Sequence, residues 1–207
     1  MSLITSIFPK LSNDRWGYIN LAMEATLDTN IHSSPNPLLD PDLCYNWVKQ
    51  LHAKYHIDYS YGGWLEDRHF LWRDSYLKDT NAIHLGVDFN VPAGTEIYSP
   101  ISGVVDDVFY DNDRNGGWGG RIIIKTKPLW LFAHMSHSLP ARGTEIKIGD
   151  YLGTVGISKE NGNWFPHLHV QCLDASIMYN NTELDGYGGW YSLMPKVYPD
   201  PMGILLS

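Results

Sequence analysis

Four histidines and one aspartate stand in three short apolar stretches: Ile83-His84-Leu85-Gly86-Val87-Asp88-Phe89, Ala133-His134-Met135 and Pro166-His167-Leu168-His169-Val170. An imidazole or carboxylate among β-branched and aromatic neighbours costs free energy unless something pairs with it. Five such groups point to a shared partner, and a metal ion is one that imidazole and carboxylate can hold together. A catalytic zinc takes three protein ligands and leaves a fourth position to water, with roughly 2.0–2.2 Å to histidine nitrogen and carboxylate oxygen. Five candidates for three places leave two imidazoles to orient or deprotonate a water or to stabilise an oxyanion. The chain has no His-Glu-x-x-His, so no helical glutamate base is on offer.

The elements that carry these groups follow from period and punctuation. Val87, Phe89 and Val91 alternate with Asp88 and Asn90, which is strand spacing. Four residues of straight strand span roughly 13 Å, too far for His84 and Asp88 to share an ion. The chain must therefore bend between them, and Gly86 is the residue that permits it. His167 and His169 are two apart in an apolar run, so both point to one side of a strand while Val170 and Cys172 point to the other. Glu96-Ile97-Tyr98 with Thr95, Gly103-Val104-Val105, Arg121 to Lys125 and Trp130-Leu131-Phe132 also read as strands.

Upstream, Asn13-Asp14-Arg15 is expected to open a short helix running to Glu24. Asp40-Pro41-Asp42 should cap a second helix through Leu43, Trp47, Val48, Leu51 and Tyr55. His52 and His56 fall on its surface in this reading, His69 is not a ligand and His137 is a rim residue. Residues 57–80 crowd Tyr59, Tyr61, Trp64, Phe70, Trp72 and Tyr76 around Gly62-Gly63, just ahead of the first histidine of the set. They are expected to form one wall of the site, with Tyr61 or Trp64 over the cleft. Asp111 to Gly117 is a polar loop without the later glutamate of a calcium loop.

The 207 residues suit one domain with an appended segment. The expected division is a helical and loop extension over 1–80 and a β domain over 81–207. Composition is that of a globular protein, 43% hydrophobic and 18% charged, and a formal net charge of −8 argues against a nucleic-acid partner. No apolar run reaches the roughly 20 residues of a membrane span. The N-terminus shows no basic region followed by an apolar core, so the chain as written reads as cytoplasmic, or as secreted or periplasmic after loss of a leader. Cys44 and Cys172 permit one disulfide and force none; strand parity places Cys172 in the core.

His-Leu-Gly-Val-Asp over 84–88 is followed by Pro92-Ala93-Gly94-Thr95, Ser99-Pro100 and Gly103-Val104-Val105. With Phe132-Ala133-His134-Met135-Ser136, Gly149-Asp150-Tyr151-Leu152-Gly153 and His167-Leu168-His169, this ordered set resembles the lysostaphin-type (LytM-like) zinc endopeptidases. The resemblance runs from about His84 to Cys172. It implies a mainly β fold of the duplicated hybrid motif type, two antiparallel sheets forming a groove, here with a helical N-terminal extension. It implies one zinc held by His84, Asp88 and His169, with His134 and His167 assisting catalysis. The implied substrate is a peptide of peptidoglycan, at a cross-link or stem. Alternatives are a zinc hydrolase of a small intracellular amide and a non-catalytic wall-binding or regulatory module. In such relatives an upstream segment can cover the zinc, a role that Asp67 could fill.

Overall fold

The computed structural model describes residues 2–75, 82–113, 116–174 and 194–204. Ten strands follow in chain order: β1 (Trp16–Tyr18), β2 (Tyr59–Gly62), β3 (Val87–Asn90), β4 (Glu96–Tyr98), β5 (Gly103–Asp111), β6 (Gly119–Lys125), β7 (Leu129–Met135), β8 (Glu145–Ile146), β9 (Tyr151–Thr154) and β10 (Leu168–Leu173). Eight of them form one sheet in the order β1-β2-β3-β10-β7-β6-β5-β8, and β4 and β9 pair separately. Every neighbouring pair is antiparallel except β1 with β2, so the large sheet is mixed.

The two faces of the large sheet have different tasks. Val87, Phe89, Leu168, Val170, Cys172, Trp130 and Phe132 turn to one face and meet Ile97 of β4 and Leu152 of β9 in a buried cluster between the sheets. Burial of apolar surface at about 25 cal/mol per Å² makes this layer the main source of fold stability. Cys172 lies in it, as parity predicts, and both cysteines are unpaired. On the other face, a smaller cluster of Leu85, Ile123, Leu131, Ala133 and Leu173 leaves room for the polar groups of the site.

The first 62 residues supply three helices, α1 (Leu3–Ile7), α2 (Leu21–Leu27) and α3 (Pro41–Tyr55), along with two strands. α3 begins where the sequence places it: the Asp40 carboxylate accepts from the Asp42 and Leu43 amides, with Pro41 in the first turn. The helix expected from Asn13 is not formed. Residues 16–18 are β1, in parallel register with 59–61, and the helix starts at Leu21, capped by the Asn20 side chain. The Trp16 ring stacks on Phe8 and meets Tyr59 and Phe89, contacts a helix would break. His52 is also not at the surface. It is buried on α3 and hydrogen-bonds Ser60 Oγ at 2.8 Å, while Asn90 Nδ2 donates to the same hydroxyl at 2.9 Å.

α2 and α3 close a cluster of Ile19, Leu21, Ala25, Leu38, Cys44, Trp47, Val48 and Leu51 that also takes in Leu71 and Phe165. Leu71 follows the turn that leaves β2, and Phe165 lies two residues before His167 at the entry to β10. The helical layer thus anchors both segments that flank the site. Among the described residues no helix is long and apolar enough to cross a membrane.

Candidate metal centre

His169 and Asp88 face each other across the β10–β3 ladder, and so point to the same side. His84 precedes β3. The chain turns between it and Asp88, bringing His84 Nε2 within 3.2 Å of Asp88 Oδ1. Gly86 makes room at that turn: a Cβ there would lie 2.6 Å from the His169 ring and from the Val170 carbonyl. The bend read from sequence is present, and a second reason for the glycine appears with it.

Hydrogen bonds behind the rings fix which nitrogens face inward. His84 Nδ1 donates to the Gly63 carbonyl at 2.9 Å, leaving Nε2 as a lone pair. His169 Nε2 donates to Gln171 Oε1 at 3.1 Å, leaving Nδ1 as a lone pair. These two nitrogens are 3.0 Å apart, and His169 Nδ1 is 3.0 Å from Asp88 Oδ1. Three acceptors with no hydrogen among them repel one another unless a cation lies between. The donor set therefore fits a metal ion, and carbonyl or amide partners behind ligating imidazoles are the usual support of such sites. Among the described residues, this trio is the group of histidine, cysteine and acidic side chains that could hold one.

His134 and His167 complete the cluster, with ring centroids 4.5 Å apart. His167 Nδ1 donates to the Phe165 carbonyl at 2.7 Å, and its Nε2 lies 3.8 Å from Asp88 Oδ1. His134 needs a different device. Ala133 is opposite His169 on the ladder, so alternation would send His134 to the apolar face with Phe132. A left-handed backbone at His134, φ 61°, next to a register shift between β6 and β7, turns the ring back to the site. Its Nδ1 is buried with no hydrogen-bond partner among the described residues.

Burial sets the protonation states. It pushes His84 down to about 4, with the Arg68 charge acting in the same direction. It also lowers His134, helped by His167, and lowers His167 itself. For Asp88 burial opposes ionisation, but His84 and Arg68 outweigh it and hold the carboxyl well below its usual range. At neutral pH His84, His134 and His167 are thus unprotonated around an ionised Asp88, the forms that metal ligands require.

Three tryptophans enclose the cluster. Trp72 meets His84 edge-on, Trp164 meets His167 edge-on, and Trp118 stacks on His134 at an interplanar angle of 17°. They line a cavity of ≈ 580 Å³ that opens over all five site residues. The aromatic wall expected from residues 57–80 is present, but its members differ. Tyr61 and Trp64 pack against the apolar cluster between the sheets, because Tyr61 pairs with Phe89 and shares its face. Trp72 lines the cavity instead, and Tyr76 lies outside the described residues. Asp67 does not approach the candidate ligands. It is exposed and bound to His69, whereas Arg68 is buried beside Asp88. His137 is half-exposed beside Glu160, as a rim residue.

Sequence reasoning did not assign the partners of these groups. Arg68 Nη1 donates to Asp88 Oδ2 at 2.7 Å, and Arg68 Nε donates to Glu66 Oε2 at 2.6 Å. Gln171 could have been found, since it shares strand parity with His169. Arg68 could not, because its segment has no regular period.

A family model, Peptidase family M23, matches residues 82–185. An uncharacterized metalloprotease of Haemophilus influenzae is 33% identical over 93 residues, covering 42% of this chain and 18% of that protein. The peptidoglycan DD-endopeptidase ShyC of Vibrio cholerae is 31% identical over 100 residues, 47% of this chain and 22% of that protein. The chain thus spans about a fifth of the length of these relatives. Among solved structures, the catalytic domain of lysostaphin from Staphylococcus simulans is similar at 23% identity, over 61% of this chain and 82% of that one, with a TM-score of 0.44.

Proposed function

The chain belongs to peptidase family M23, and on that premise we propose that it is a zinc-dependent endopeptidase cleaving peptide bonds of peptidoglycan. The observation that carries the reading is the convergence of His84 Nε2, Asp88 Oδ1 and His169 Nδ1, three lone-pair donors 3.0–3.2 Å apart. These three would hold the metal. Two imidazoles and one carboxylate are a donor set typical of catalytic zinc. When bound, zinc supplies a Lewis acid that polarises the scissile carbonyl and acidifies a water.

The remaining groups handle protons and developing charge. His167 has its Nδ1 hydrogen committed to the Phe165 carbonyl, so Nε2 is free to accept. Burial keeps that imidazole unprotonated, which suits a base. Nε2 takes the proton released as the water oxygen attacks the carbonyl carbon, and returns it to the departing amine. His134 lies beside it as a hydrogen-bond donor to the carbonyl oxygen as negative charge builds there. Trp72, Trp118 and Trp164 set apolar ring surface around these groups, which lowers the local dielectric and strengthens each of these interactions.

The substrate class rests on the relatives, whose names include a peptidoglycan DD-endopeptidase. The test is incubation of zinc-loaded protein with purified peptidoglycan, followed by analysis of newly exposed amines. Amine release that stops with a chelator and returns with zinc is expected. Intact peptidoglycan after incubation with the zinc-loaded protein would overturn the substrate assignment.

A further inference from the structure

Arg68 is 1% exposed, and its charge touches a candidate metal ligand. A guanidinium near a metal ion is an unfavourable neighbour by charge alone. Its placement is nonetheless tightly determined. The backbone amide of Arg68 donates to the Ala82 carbonyl at 2.8 Å. Glu66, itself buried, accepts from Nε, and the guanidinium carbon lies 5.1 and 5.8 Å from the Trp72 and Trp164 ring centroids. Gly63, at φ 106°, leaves the space the fork needs. A Cβ there would lie 2.4 Å from Nη2 and 2.6 Å from His84 Nδ1.

A buried carboxylate–guanidinium–carboxylate chain is weak evidence of stabilisation, because apolar replacements of equal volume are often as stable. Its geometric effect is specific. Asp88 has two oxygens; Oδ1 faces His84 and His169, and Oδ2 is occupied by Arg68. We propose that Arg68, held by Glu66, is a positioning residue that confines Asp88 to a single-oxygen contact with the metal and so keeps a coordination position open for substrate. Glu66 balances the guanidinium charge, so the restraint does not weaken the ligand. The proposal rests on His84, Asp88 and His169 being the metal ligands.

Removing Glu66 and Arg68 together separates position from charge, because their formal charges cancel. The Glu66→Gln, Arg68→Met double variant is loaded with cobalt(II) in place of zinc, which such a site accepts. Four-coordinate cobalt absorbs visible light more strongly than five- or six-coordinate cobalt. The expected result is a clear loss of visible absorption as Asp88 Oδ2 swings onto the metal. A zinc affinity about 10–100-fold weaker, measured by competition with a chromophoric chelator, should accompany it. Arg68→Lys, whose ammonium cannot bridge both carboxylates as the fork does, should shift both readouts in the same direction by less. This variant decides the matter if the double variant does not fold. An unchanged cobalt spectrum overturns the proposal, whatever happens to thermal stability. A wild-type chain that takes up no cobalt instead overturns the metal assignment on which the proposal stands.

Discussion

Residues 59–62 and 63–75 are adjacent and both carry aromatic side chains, yet they do different work. The first is strand β2, whose register with β3 sends Tyr59 and Tyr61 toward Phe89 in the core. The second leaves the sheet at Gly63 and returns beside the site, where Glu66, Arg68 and Trp72 are buried or half-buried around Asp88 and His84. The contrast shows that aromatic density alone does not mark a cleft wall. The ladder settles the first stretch by parity. The second is placed by its anchors, Leu71 in the helical cluster and the His84 amide bonded to the Glu66 carbonyl.

The comparison can be broken on either side. The largest expected effect is on the site itself. His134→Ala or His167→Ala should lower turnover by about 10²–10⁴-fold while leaving metal content intact. Rate and metal content are measured on the same preparation, and loss of the metal in His134→Ala would make that residue a ligand. Next in size is the core side: Phe89→Ala should destabilise by about 3–5 kcal/mol in denaturant unfolding, since its ring is fully buried. A change well under 1 kcal/mol would show that the β2–β3 face is not the core described.

Acid should act on the site side. With folded His84 at about 4 and the unfolded value near 6.5, the unfolded chain binds more protons between these values. Stability from this group is complete above pH 6.5 and is lost as pH falls toward 4, by about 3 kcal/mol in the metal-free protein. Burial lowers His134 and His167 in the same sense, and Asp88 adds to the loss further into acid. A flat stability profile of metal-free protein between pH 6.5 and 4 would contradict this burial. Smallest is Trp72→Ala, expected to cost about 1 kcal/mol or less in stability but to alter KM, because the half-buried ring borders the cavity.

Much of the site was legible because it rests on short-range rules. Period-two spacing put His167, just ahead of β10, on the same side as His169 within it, and the span of a straight strand forced a bend at Gly86. The cap at Asp40 followed from its neighbours alone. What escaped depended on tertiary placement. Trp16 looked helical until its ring found Phe8 and Tyr59. His52 looked exposed on an amphipathic helix, but the chain folds back after α3 and brings Ser60 of β2 to it as a partner. The inward turn of His134 comes from a positive φ at a register shift, which no residue type at that position announces. Asp67 and Arg68 are consecutive, and only the backbone path decides which one enters.

The most direct test is the zinc content of the chain purified without chelator, compared with that of the Asp88→Ala, His169→Ala double variant. One zinc per wild-type chain and essentially none in the variant is the expected result, since two of the three converging donors are gone. Zinc retained undiminished in the double variant would contradict the assignment of His84, Asp88 and His169 as the metal site.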